Sequence, residues 1–314
     1  MGSLSLAARG AMRVGISLTS FHAVRDAREA AGWMVARAAA AREAELDSLF
    51  VGDHHAMAAP YYQNTPIMGR LLSEWGDRPA GCLFLLPLWN PVLVAEQVGT
   101  LAAIAGGRFI MQCALGDGLA QFAAMGATLR NRPSMFEEGL GIVRRLLAGE
   151  TVTSSGRYRV SEARIAPLPP EPVEVWIGGS AGASIDRAAR LGDAWLAGPE
   201  LTPAQAREWA LYYRERCAFH GRMPTAIAIR RDVFAGESSA HARAVAEPIL
   251  GAGYRGFDPS ACVYGDVDEV AEAFREYAGM GYTDVIVRHL TNGQPEVLGS
   301  LGRLREVRRA VLDA

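Results

Sequence analysis

Eight short apolar runs, most of them followed by a segment of helical periodicity, succeed one another along 314 residues. The runs are Arg13–Leu18, Ser48–Asp53, Gly81–Leu86, Arg108–Leu115, Val173–Ile177, Asp193–Ala197, Ala226–Val233 and Thr283–Arg288. Gly81–Leu86 is almost wholly apolar, as a parallel strand buried on both faces must be. Between the runs lie segments with helical spacing and helical punctuation. Asp26–Glu45 is alanine-rich, and Pro91–Ala105 opens on proline and stops at Gly106-Gly107. In Ser134–Ala148, Ser134 is the expected N-cap, with Glu137 completing a capping box. A helix starts near Ala183, and Thr202–His220 opens on Thr-Pro. His241–Gly251, Val267–Ala278 and Glu296–Leu312 complete the set. Strands alternating with helices imply a parallel sheet, and eight units favour closure into an α/β (β/α)8 TIM barrel with loop insertions. No Pro/Gly/Ser-rich linker divides the chain, so one barrel domain is expected over 13–314, after a flexible leader over 1–12. Two connections are long: His54 to Pro79, and Glu150 to Pro172, which reads as a small hairpin with a proline-rich return. Long loops after barrel strands gather over the active site.

Composition removes several function classes. The net charge is -2, so no basic excess exists to neutralise nucleic-acid phosphates. All 32 basic residues are arginine, which rules out lysine Schiff-base chemistry and a Walker-type lysine. Cys82, Cys113, Cys217 and Cys262 are widely spaced, with no C-x-x-C pair. Neither a disulfide scaffold nor a zinc knuckle is expected, and a reducing cytoplasm is the simplest compartment. No apolar stretch is long enough to span a bilayer.

Four segments can carry chemistry. Gly52-Asp53-His54-His55 ends the second strand, on the C-terminal rim where catalytic groups of such barrels collect. Adjacent strand residues face opposite ways, so His54 is the expected proton-transfer group and His55 the weaker candidate. Gly178-Gly179-Ser180-Ala181-Gly182 joins a strand to a helix. It reads first as a phosphate cradle, with close backbone approach and free helix-start amides. It reads next as a plain turn, and last as the G-x-S-x-G nucleophile elbow of a hydrolase. Cys113 to Gly118 ends the fourth strand and presents Asp117 as acid, base or turn residue. Arg288-His289 follows the eighth strand, where His289 could approach His22 and His54. The first strand lacks the H-x-H of metal-dependent barrels, so no metal is expected.

Together these segments resemble the bacterial luciferase-like family of flavin- and deazaflavin-dependent oxidoreductases. The resemblance runs from about Arg13 to the C-terminus. It is strongest over Asp47–His55, Leu88–Leu101 running on to Gly106–Phe109, and Pro172 through Ser180 to Asp193. It implies that Gly178, Gly179, Ser180 and Ala181 hold the cofactor phosphate. It places Leu83, Phe84 and the residues to Leu86 beneath the ring, where the family often has a non-prolyl cis peptide, and makes His54 the catalytic histidine. Ala114 and Asp117 match positions lining the flavin, and deazaflavin relatives carry an acidic residue where Asp117 stands. His55, Tyr61, Tyr62 and His289 are expected around the substrate, and members often form homodimers. The chain departs from the family's deazaflavin sugar-phosphate dehydrogenases at Ala58, where they have tryptophan. The double histidine favours the FMN branch, although Asp53 stands where that branch often has glutamate. The expectation is a two-component FMN monooxygenase receiving reduced FMN from a separate reductase. His54 serves there as acid or base, Asp117 orients it or the substrate, and the loop with Tyr61, Tyr62 and Trp75 closes over a small organic substrate. Hydride transfer with the deazaflavin coenzyme F-420 is the nearest alternative. A non-catalytic flavin-binding protein, and a serine hydrolase built on Ser180, Asp266 and His289, are the others.

Overall fold

A computed structural model describes residues 12–312, so the leader expected over 1–12 lies, except for Met12, outside the described residues. The strands are β1 (Arg13–Leu18), β2 (Leu49–Val51), β3 (Ala80–Leu85), β4 (Phe109–Ala114), β5 (Val152–Ser155), β6 (Arg159–Ala163), β7 (Glu174–Gly178), β8 (Ala194–Ala197), β9 (Ala226–Ala235), β10 (Cys262–Gly265) and β11 (Asp284–His289). The α-helices are α1 (Ala27–Glu43), α2 (Asn64–Trp75), α3 (Pro91–Ile104), α4 (Leu119–Ala124), α5 (Arg132–Leu147), α6 (Gly182–Leu191), α7 (Pro203–Phe219), α8 (Ser239–Gly251), α9 (Val267–Met280) and α10 (Gln294–Leu312). Strands β1, β2, β3, β4, β7, β8, β9 and β11 pair in that order, all parallel, and β11 returns to β1. The barrel is therefore closed, as the eightfold alternation predicts. The expected hairpin is the antiparallel pair β5–β6.

Strand parity sorts the side chains. One residue of each pair faces the helix layer, where Val14, Ile16, Val51, Met111, Val175, Ile177, Ile229, Val285 and Val287 join the main core. The alternate residues Phe50, Ile110, Trp176, Ala194, Ala226, Ala228 and Ile286 plug the barrel interior. The Phe50 and Trp176 rings lie 5.5 Å apart at a tilt. Room for them depends on Gly81, where a Cβ would sit 2.0 Å from the Ile110 carbonyl oxygen and 3.0 Å from the Phe50 ring. Burying each of the large apolar side chains among them contributes roughly 1.5–3 kcal/mol. The plug closes the floor, so the next inward layer meets an open mouth.

Three expectations are corrected. The stretch read as the long loop His54–Pro79 contains α2, whose Ile67, Met68, Leu71, Leu72 and Trp75 form a buried helical stripe. Trp75 is consequently core: its Nε1 donates to the carbonyls of Arg78 and Pro79, and it closes over nothing. Helix α5 begins at Arg132 after Asn131, two residues before the expected cap, because Pro133 is accommodated in its first turn. Ser134 then donates to the Asn131 carbonyl, and Glu137 accepts from Arg187 and Arg190 instead of closing a box. Strand β9 runs on to Ala235, and β10 pairs with that extension outside the barrel.

Candidate active site at the barrel mouth

Two adjoining cavities, of about 620 and 760 Å3, open at the C-terminal ends of the strands. They share walls at Leu83, Leu85, Gly116, Asp117, Leu196 and Arg230, so they form one cleft.

The larger cavity is bounded by Gly178, Gly179, Ser180, Ala181 and Ala114, with Arg132 and Arg187. Here β7 turns directly into α6, whose first-turn amides at Gly182 and Ala183 have no acceptor within the helix. Those amides and the positive end of the helix favour an anion. The turn is rigid: Gly179 N donates to the Leu196 carbonyl, and Trp195 Nε1 donates to the Gly179 carbonyl at 2.8 Å. Side chains are excluded at the turn, since a Cβ at Gly179 would lie 2.3 Å from Ser184 Oγ and one at Gly198 would lie 2.2 Å from Ser180 Oγ. Arg132 donates to the Gly116 carbonyl and Arg187 pairs with Glu137, which holds both guanidinium groups at the cavity wall. A phosphate-bearing cofactor fits these residues.

The smaller cavity gathers His54, Tyr61, Leu83, Asp117 and His289. His54 leaves the end of β2, with its ring 5.9 Å from the Tyr61 ring. Burial holds its imidazole below the ordinary range, while the carboxylates of Asp117 and Asp53 oppose that shift. The proton-free form is thus the resting form near neutral pH. Tyr61 is buried enough that its phenol is pushed up to about 12, so it stays protonated. Asp117 stands between Gly116 and Gly118, both with positive φ, and its carbonyl accepts from Gln121 at 3.0 Å.

Several expected site residues point elsewhere. His55 turns beneath the rim, where its Nε2 lies 3.2 Å from Asp53 Oδ1 and its ring is 5.3 Å from Trp89. Phe84 is on the opposite face of β3 from Leu83, packed against Trp89 outside the barrel wall. Tyr62 faces outward and donates to the Ala27 carbonyl. The direction of Phe84 follows from the twofold alternation of the strand. The peptide bonds from Leu83 to Leu86 are trans. The hydrolase triad is not assembled: Asp266 caps α9 and accepts from Ser239, while His289 lines the other cavity from Ser180. His22 and His289 are buried beside Arg37, and burial first, then that cation, pushes them down to about 4 and about 3. Among the described residues no three His, Cys, Asp or Glu side chains converge as metal ligands.

Reading the motifs missed four residues. Asp53 is buried and pins two strand ends, its Oδ2 accepting from Leu85 N and Trp89 Nε1 at 2.8 Å each. Gln112 lies on the floor of the smaller cavity with its Nε2 unpaired. Arg230 and Arg255 line the same cavity and both contact Asp232. Gln112 and Arg230 carry the inward parity of Ile110 and Ala228, a signal available in the strand pattern. Arg255 comes from a connection beyond β9, and no local pattern places it.

The family model described as luciferase-like monooxygenase matches residues 12–261 of this chain. An uncharacterised protein of Mycobacterium tuberculosis is 33% identical over 114 residues, covering 36% of this chain and 39% of that protein. An F-420-dependent glucose-6-phosphate dehydrogenase of Intrasporangium calvum is 29% identical over 168 residues, covering 50% of each chain. The matches therefore span half or less of these relatives' lengths. Among solved structures, monooxygenase RslO1 from Streptomyces bottropensis has the same fold, with a TM-score of 0.81 and 19% identity over 94% of this chain and 98% of that one.

Proposed function

Because the chain belongs to the luciferase-like monooxygenase family, we propose that it is an oxidoreductase whose flavin-type cofactor lies along the cleft, phosphate in the glycine cradle and ring toward His54. The observation that carries this reading is the continuity of the two cavities. A helix-start anion site and a neutral, partly buried histidine sit on either side of one set of walls. The cofactor, when bound, supplies the two-electron chemistry.

The chain's own residues do the rest. Gly182 and Ala183 amides, with Arg132, would hold the phosphate. Leu83, Leu85 and Leu196 would offer a flat ring apolar walls, and Gly116 leaves the wall beside them free of a side chain. His54 takes a proton from a substrate hydroxyl as that carbon becomes a carbonyl, or returns it in the reverse direction. Of the two cofactor chemistries, hydride transfer with coenzyme F-420 is the leading reading. Asp117 supports it, since this acidic residue stands at the junction of the cavities, and so does the stated activity of the Intrasporangium relative. The second reading is a two-component FMN monooxygenase fed by a separate reductase, favoured by the family's description and by the adjacent histidines.

Anaerobic incubation with oxidised F-420 and a panel of alcohols separates them. Bleaching of the cofactor without oxygen supports hydride transfer. Oxygen uptake that needs both this protein and reduced FMN supports the second reading. Absence of both signals, with a cofactor shown to be bound, contradicts the proposal.

A further inference from the structure

The smaller cavity has a charged wall that proton transfer at His54 does not use. Arg230 on β9 and Arg288 on β11 both face the mouth, and Arg255 joins them from the connection after α8. Arg255 is held at φ 51, with its guanidinium 4.8 Å from the Phe257 ring centroid. One carboxylate serves all three. Asp232, fully buried, lies 3.2 Å from Arg230 Nε and 3.2 Å from Arg255 Nη1, and also accepts from Tyr254 at 2.8 Å. Arg288 spends one donor on Thr19 Oγ1 at 3.0 Å and pairs with no carboxylate among the described residues. Burial opposes ionisation of Asp232, but Arg230, Arg288 and Arg255 outweigh it and hold its carboxyl below the usual range. Asp232 is thus already a full counter-ion, and the wall keeps an excess of positive charge.

Two further observations point to a ligand. Gln112, 4% exposed, and His289, 9% exposed, line the same cavity, and among the described residues Gln112 Nε2 and His289 Nε2 have no partner. A buried amide donor left unpaired is destabilising, so a group that satisfies it is favoured. The other carboxylates of this cavity, Asp53 and Asp117, lie on the His54 side, so charge is graded across the mouth. Arg255 and Arg288 do not border the phosphate cradle, which makes the cofactor's phosphate the wrong anion for them.

We propose that Arg230, Arg255 and Arg288 form an anion subsite that holds a carboxylate or phosphate group of the substrate and turns its reacting end toward His54. Guanidinium forks suit both oxyanions through paired N–H donors. The orientation rests on the cofactor reading above; the anion site itself does not.

Calorimetric titration of the cofactor-loaded protein tests this, because loading fills the cradle first. The probes are inorganic phosphate and citrate, with glycerol as the neutral control. The expected result is saturable binding of at least one anion and none of glycerol. Arg288→Met and Arg255→Met should each weaken it tenfold or more, and Arg288→Lys should restore part of the loss. Unchanged cofactor affinity shows that the variants are folded. Absence of anion binding, or equal binding by wild type and the two methionine variants, overturns the subsite while leaving the cofactor reading intact. If no cofactor binds, that reading fails, and the same titration on the free protein still decides the subsite by its dependence on Arg255 and Arg288.

Discussion

In the proposed mechanism His54 and Asp117 are the pair on which proton transfer turns. Burial lowers the histidine's proton affinity, and the nearby carboxylates raise it again. A base in this state works while it is proton-free, so activity should fall on the acid side only below the ordinary imidazole value of about 6.5. Asparagine at 117 removes a charge that favours the imidazolium. The acid limb of an Asp117→Asn variant should therefore move to lower pH, and a shift upward would contradict the coupling. His54→Ala should keep cofactor affinity and lose about 10²- to 10⁴-fold in turnover, the range expected for a positioned acid or base. Full turnover by that variant would remove His54 from the mechanism. Arg37 adds to the burial that lowers the proton affinity of His22 and His289. It donates to Gln294 Oε1 and to Asn292 Oδ1 at 2.8 Å and to the Asn292 carbonyl at 2.9 Å, which fixes a rim loop with a cation.

In the proposed reading, the turn from β7 into α6 is the element that decides whether a cofactor is held. Methylating it at Gly179 is informative because the obstructing atoms are Ser184 Oγ at 2.3 Å and Ser184 Cβ at 2.5 Å. Rotating the serine clears only the first, so the helix start itself must shift. Gly179→Ala should weaken FMN or F-420 binding by tenfold or more in a fluorescence titration, with thermal stability changed little by comparison. Unchanged affinity would mean that the phosphate lies elsewhere. The turn itself was legible in the chain, because glycines between an apolar run and a helical segment mark a tight strand-to-helix connection. The barrel was legible too: eight apolar runs of strand length demand partners on both edges. Side-chain direction was legible only by parity. Parity separates Leu83 from Phe84 and His54 from His55, but it says nothing about Tyr61 and Tyr62 in an irregular segment. Helix α2 went unread although its stripe from Ile67 to Trp75 has helical spacing, because the stretch begins with proline, tyrosines and polar residues. The arginine wall could not be read, since Arg255 reaches Arg230 and Arg288 only through the fold.

At the scale of the whole molecule, one barrel end carries a glycine turn at a helix start, a partly buried histidine and a cationic wall around a single cleft. The same burial that builds it makes the fold sensitive to acid. His22 and His289 have pKa values of about 4 and about 3 in the folded chain, against about 6.5 when unfolded. Between those values the unfolded chain binds more protons. Stability is therefore complete above about pH 6.5 and is lost as pH falls, at roughly 1.4 kcal/mol per pH unit for each histidine. Denaturant midpoints between pH 6.5 and 4 should fall accordingly, and His22→Gln should flatten the slope; equal slopes would contradict this assignment. The most direct test of the central claim is equilibrium titration of the purified chain with FMN, reduced FMN and F-420. Micromolar binding of at least one, about -8 kcal/mol, abolished or strongly weakened by Gly179→Ala, is the predicted result. No binding of any of the three, or binding indifferent to Gly179→Ala, would contradict it.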